Sequence, residues 1–118
     1  MAMNAANPLF LIPVLTGPAF MFMGTLLLKH PPKKINGFYG YRTSKSMRSQ
    51  ERWDFAQIFS AMEMIKGGGL LAFTSIIGLF YNPNEVAGTI FGCSLVVAAL
   101  VMLVINTERA ITKKFDKT

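Results

Sequence analysis

A chain of 118 residues has room for one compact unit rather than two ordinary domains, and 52% of its residues are hydrophobic against 15% charged. Soluble domains average about 25% charge. Here the charges are also clumped, with none from Met1 to Leu28 and only Glu85 between Gly67 and Asn106. So little polar surface cannot cover a soluble fold of this size, and the chain reads as an integral membrane protein. The net charge of +6 comes from cations that flank apolar runs, which argues for membrane orientation and against nucleic acid. A single cysteine, Cys93, lies inside an apolar run. It excludes an intrachain disulfide, and neither a metal site nor a cofactor is expected. The opening "MAMNAANP" lacks the basic region of a cleaved signal, so none is expected.

The first apolar run, Pro8 to Leu28, matches the roughly 30 Å hydrocarbon thickness of a bilayer. Asn7 suits its N-cap with Pro8 in the first turn. Pro13 and Pro18 predict a kinked helix, with Thr16 a candidate to satisfy the carbonyls they free. Lys29, His30 and Pro31-Pro32 end the run, and His30 reads as an interfacial residue rather than a base.

Next comes a polar and aromatic stretch, "KINGFYGYRTSKSMRSQERWDFAQ", Lys34 to Gln57. Asn36-Gly37 is a turn dipeptide, and Gly40 between Tyr39 and Tyr41 suggests a tight backbone conformation. Arg42 has three readings: cation–π contact with Tyr39, Tyr41 or Trp53, bidentate capture of a phosphate or carboxylate, or simple contact with lipid phosphate. From Ser46 to Lys66 the pattern is helical, with Phe55, Ile58, Phe59, Met62 and Ile65 on one face. Such a stripe suits a helix lying at the interface or an extension of the second span. Trp53 falls on another face, either as an interfacial anchor or packed on the preceding loop. Glu51 and Asp54, flanked by Arg48 and Arg52, read better as salt-bridge partners than as an acid/base pair.

The second span is expected at about 62–81, with Glu63 and Lys66 paired at i,i+3 and Lys66 snorkelling toward head groups. Gly67-Gly68-Gly69 is either a bend or a close-packing surface. "NPNE", Asn82 to Glu85, signals a turn. The third span is expected at about 86–106, and its "GTIFG" is a GxxxG match that favours tight packing or self-association. A charged tail, 107–118, closes the chain.

Lys and Arg are distributed eight to the Lys29–Lys66 segment and four to the tail, with none in the N-terminus or the Asn82–Glu85 turn. With three spans all twelve fall on one side, which the positive-inside rule makes cytoplasmic, with the N-terminus out and the C-terminus in. The expected fold is therefore all-α: an integral membrane three-helix bundle in one domain, 1–118. A cytoplasmic motif segment, 29–61, supplies a loop and an amphipathic helix between spans 1 and 2.

The order Asn36, then "YGYRT" (Tyr39 to Thr43), then Ser46-Met47, Glu51 and Trp53 resembles the SdpI family of small bacterial membrane proteins. Its named member is an immunity protein against a secreted membrane-active toxin peptide. The motif spans about a fifth of the chain. The resemblance implies that Asn36, Tyr39, Gly40, Tyr41, Arg42, Thr43, Ser46, Met47 and Trp53 are signature positions, with Glu51 beside them, and makes these the candidate ligand- or partner-binding residues. It implies a bacterial inner-membrane protein that gives immunity to, or senses, a toxin peptide without enzymatic chemistry. The founding member is larger, so this chain looks like a minimal three-span form. Expected partners are membrane lipids, a toxin peptide, a cytoplasmic regulator and a second copy of the chain.

Two other readings stay open. One is an intramembrane enzyme acting on lipid or peptide, with Arg42 holding a phosphate and Tyr39, Tyr41 or Glu51 as acid/base groups. A polar cavity joining Arg42 to Glu51 would favour it. The other is an accessory subunit of a transporter. No Walker-type loop, His-Glu zinc motif or Ser-His-Asp set is present to favour established chemistry.

Overall fold

The computed structural model describes residues 7–81 and 83–116, which form three helices: α1 (Pro8–Lys29), α2 (Gln50–Phe80) and α3 (Glu85–Phe115). All three are long and apolar enough to cross a membrane, with mean hydropathies of 1.9, 1.3 and 2.5, and the chain is a multi-pass membrane protein. The bundle measures 54 × 30 × 20 Å. At 1.5 Å per residue, α2 and α3 are each about 46 Å long, well beyond the hydrocarbon thickness. The first turns of α2 and the last turns of α3 therefore project together from the same, basic end. The amphipathic helix expected between spans 1 and 2 is the leading part of α2 itself, with no break before the span.

Apart from Trp53 and Leu71, the buried face of α2 is small or polar: Ala56, Gln57, Ser60, Ala61, Gly68, Ser75 and Gly78. The stripe expected from Phe55 to Ile65 does not form the packed face, since none of its residues is buried and Ile58 and Met62 are exposed. The reason is the solvent. Lipid accepts large apolar side chains without cost, so helix contacts form where small residues let backbones approach. Leu15, Phe22, Leu70, Phe73 and Phe80 accordingly point outward, each more than 60% exposed.

The α1–α2 interface is the most extensive in the bundle, and glycine decides it. A Cβ on Gly68 would lie 2.4 Å from the Gly17 carbonyl oxygen, and one on Gly78 would lie 2.4 Å from the Phe10 nitrogen. Of the glycine triplet, Gly68 is thus a close-packing residue, Gly69 has open space beside it, and no bend forms. The GxxxG pair Gly88 and Gly92 is spent within the chain, against Asn7, Pro8, Leu9 and Ile12.

Asn7 caps α1 by accepting from the Leu9 N–H at 3.0 Å. Its amide also donates to the Gly78 and Tyr81 carbonyls at 2.8 and 2.9 Å, stapling the start of α1 to the end of α2. α1 continues through Pro13 and Pro18. Thr16 donates to the Ile12 carbonyl at 2.7 Å, which is its own backbone acceptor, so it does not serve the Leu9 and Val14 carbonyls that the prolines free. In the "NPNE" stretch, Asn82 lies outside the described residues; Asn84 caps α3 through the Ala87 N–H. Glu63 and Lys66 pair as expected at 3.2 Å, and Asn106 of α3 donates to the second Glu63 oxygen at 2.6 Å.

Candidate functional site

The segment from His30 to Ser49 is irregular, yet the side chains of Asn36, Tyr39, Tyr41, Thr43, Lys45 and Ser46 are all hydrogen-bonded within the protein. Asn36 builds a turn: its Oδ1 accepts from the N–H groups of Phe38 and Tyr39, both at 2.8 Å, and its amide donates to the Lys34 carbonyl. The Tyr39 hydroxyl reaches back to the His30 carbonyl at 2.9 Å. Gly40 has φ +101°, a conformation L side chains rarely adopt. A Cβ there would also lie 2.4 Å from Gln57 Oε1 and 2.7 Å from Pro32 Cγ. The tight backbone read from the sequence is required twice over.

Gln57 of α2 grips the next residue by its backbone. Its Oε1 accepts from the Tyr41 N–H at 2.7 Å, and its Nε2 donates to the Tyr41 carbonyl at 2.8 Å. Four residues earlier, fully buried Trp53 donates from Nε1 to the Pro32 carbonyl at 2.7 Å. Of its two readings, packing on the loop is the one that holds, and Trp53 is not an interfacial anchor.

The far side of the loop is tied to α3. The Tyr41 hydroxyl and the Thr43 hydroxyl both donate to Glu108 Oε2 at 2.8 Å. Burial first, then the bond to Glu108 and its negative charge, push the Tyr41 phenol well above the ordinary tyrosine range, which keeps it a neutral donor. Thr43 and buried Ser46 exchange bonds: Ser46 Oγ accepts from the Thr43 N–H at 2.8 Å, and Thr43 Oγ1 accepts from the Ser46 N–H at 3.2 Å. Lys45 donates to Thr112 of α3.

Beyond the loop, Arg52 pairs with Asp116 and sits over the Phe115 ring at 5.4 Å, with Lys114 over Phe55 at 4.9 Å. The bond from Arg52 holds the Asp116 carboxyl below its usual range. Arg52 therefore bridges to α3 rather than to Glu51 or Asp54 as the sequence suggested; Asp54 accepts from Gln50 instead. Glu51 is exposed in the first turn of α2, where a negative charge suits the helix dipole.

Arg42 differs from its neighbours. It is exposed, donates to the Gly37 carbonyl, and has neither an aromatic face nor an acidic partner among the described residues. The cation–π reading of Arg42 is thereby replaced by Arg52 and Lys114. Arg42 stands at a cavity of about 480 Å³ roofed by Phe38–Thr43, with Met23 and Leu27 of α1, Ser60 and Met64 of α2, and Leu103 and Val104 of α3 as walls.

Of the signature residues, Asn36, Tyr39, Gly40, Tyr41, Thr43, Ser46 and Trp53 make one interlocked structure. Arg42 faces its cavity, while Met47 and Glu51 are exposed outside it. Gln57, Glu108 and Pro32, which sequence reasoning did not select, are the residues the loop is fastened to. Glu51 does not line the cavity at Arg42. Among the described residues no group of His, Cys, Asp or Glu is placed to hold a metal ion.

The profile of the SdpI/YfhL protein family matches residues 33–106. The chain is also similar to the uncharacterized protein YfhL of Bacillus subtilis (strain 168), 38% identical over 96 residues, or 80% of this chain and 82% of that one. No solved structure matches.

Proposed function

The chain belongs to the SdpI/YfhL family, and from that premise we propose that it senses, or gives immunity to, a membrane-active toxin peptide by binding rather than by catalysis. The observation that carries this reading is the fate of the signature. Its hydroxyl and amide groups are consumed in bonds that brace a loop across α2 and α3. An enzyme would aim such groups at a substrate, and the cavity lined by Arg42 does not include Glu51. A braced loop that ties two spans together suits a receiver, because a peptide that shifts α3 in the bilayer must move the loop.

In this reading the basic end is cytoplasmic, in a bacterial inner membrane, with the N-terminus outside, since the Lys and Arg residues gather at that end. There the loop and the projecting ends of α2 and α3 offer a surface to a cytoplasmic regulator. Expression in a sensitive bacterium challenged with membrane-active peptides tests the function: survival should rise with the intact protein and fall back when Glu108→Ala frees the loop. Equal survival with and without the intact protein would count against it. For topology, single cysteines at Ser44 and Glu85 in a Cys93→Ser background should label from opposite sides of the membrane.

A further inference from the structure

We propose that the cavity under the Tyr39–Thr43 loop is a binding site for one anionic phospholipid, with the phosphate on Arg42 and an acyl chain against Met23, Leu27, Met64, Leu103 and Val104. This inference is independent of the toxin reading.

Three features point to an amphiphile of that kind. The first is the polarity gradient. The walls come from all three helices and are apolar except for Ser60, whose hydroxyl donates to the Gln57 carbonyl, while the rim carries a guanidinium with one donor engaged among the described residues, on the Gly37 carbonyl. Free N–H pairs on a planar fork match a phosphate.

The second is access. Met23 and Val104 are 52% and 42% exposed, so the cavity opens sideways, toward the hydrocarbon that surrounds the spans. Beside it Phe38 is 94% exposed on a loop rich in cations, an arrangement stable where a ring enters the interfacial layer. Lys29 ends α1 two residues past Leu27, adding positive charge at the same level.

The third is what the walls lack. Tyr39, Tyr41 and Thr43 already spend their hydroxyls inside the protein. A peptide entering in extended form would find partners at the Arg42 rim but none of these hydroxyl protons along the walls, and its backbone in a bilayer must be satisfied throughout. An acyl chain needs none. The volume of about 480 Å³ suits a small-molecule ligand rather than a helix.

Native mass spectrometry of the full chain, released from micelles doped with phosphatidylglycerol or phosphatidylcholine, tests the site. One phosphatidylglycerol should be retained roughly tenfold better than phosphatidylcholine, whose choline cation offsets the charge of the phosphate that the guanidinium would grip. Arg42→Ala should abolish that preference, and Val104→Phe should weaken retention of both lipids by filling the wall. Emission of Trp53, the one tryptophan, checks that the loop stays docked in each variant. Millimolar inorganic phosphate should not displace the lipid. Equal retention of the two lipids, an unaltered preference in a docked Arg42→Ala, or displacement by phosphate alone would overturn the proposal. So would retention of an amphipathic peptide where no phospholipid is retained.

Discussion

Gln57 is the residue through which α2 holds the loop, and replacing it gives a quantitative test. Gln57→Ala removes two bonds to the Tyr41 backbone, at 2.7 and 2.8 Å, from a fully buried position. Each bond is worth about 1 kcal/mol net, and the vacated space and stranded partners raise the total cost to roughly 2–4 kcal/mol. Gln57→Glu is sharper because it changes one donor and almost no volume. The carboxylate still accepts from the Tyr41 N–H, but its second oxygen now opposes the Tyr41 carbonyl. Protonation restores a donor there. The folded-state pKa of the new Glu is therefore raised above its unfolded value of about 4.3. Stability is complete below that unfolded value and is lost as pH rises through the folded one.

The assay is denaturant unfolding in micelles, followed through Trp53, whose Nε1 bond to Pro32 depends on loop docking. Gln57→Ala should cost about the same at every pH. Gln57→Glu should match the wild type near pH 4 and approach the alanine variant by pH 8. A flat profile for Gln57→Glu, or a Gln57→Ala cost under about 0.5 kcal/mol, the range of ordinary surface changes, would refute the role assigned to Gln57.

Three further outcomes are expected. Gly68→Ala should destabilise the bundle by about 1–3 kcal/mol, because its Cβ meets the Gly17 carbonyl, whereas Gly69→Ala, facing open space, should be neutral or stabilising by up to about 1 kcal/mol; thermal unfolding in micelles separates them. The raised Tyr41 pKa makes stability full below the unfolded value of about 10 and lost as pH climbs above it, so unfolding between pH 8 and 11 should show a decline that Tyr41→Phe, less stable at pH 8, lacks. The lowered Asp116 pKa works in the opposite sense: the Arg52 pair is intact above about pH 4 and lost as pH falls through the depressed folded value, so amide protection at the end of α3, taken relative to the intrinsic exchange rate at each pH, should fall only in that acid range.

The spans, the loop and the basic end were legible because length, hydropathy and charge clumping act through the bilayer alone. The Asn36 turn and the special backbone at Gly40 were legible because each depends on local geometry. What stayed hidden depends on which face of α2 packs. The Phe55–Ile65 stripe left open a helix at the interface or an extension of the second span; the extension is what forms, and α2 packs through small and polar residues off the stripe. Gln57 lies off that stripe, on a buried face with Trp53, Ala56, Ser60 and Ala61. Glu108 gave no signal at all, since its partners Tyr41 and Thr43 lie more than 60 positions away.

The three helices are held by different means. α1 and α2 meet backbone to backbone, where Gly17, Gly24, Gly68 and Gly78 permit close dispersion contacts along their length. α3 makes a smaller interface with either helix. Hydrocarbon supplies no hydrophobic drive to press it home. At the basic end α3 is instead fastened by side chains that reach it from the loop and from α2: Tyr41 and Thr43 to Glu108, Lys45 to Thr112, Arg52 to Asp116, and Glu63 to Asn106. Two of these five bonds come from the "YGYRT" stretch itself and end on one carboxylate oxygen. Removing Glu108 would release both at once while leaving the glycine interface untouched. The part of the chain that carries the family signature is thus also the part whose bonds decide where α3 sits.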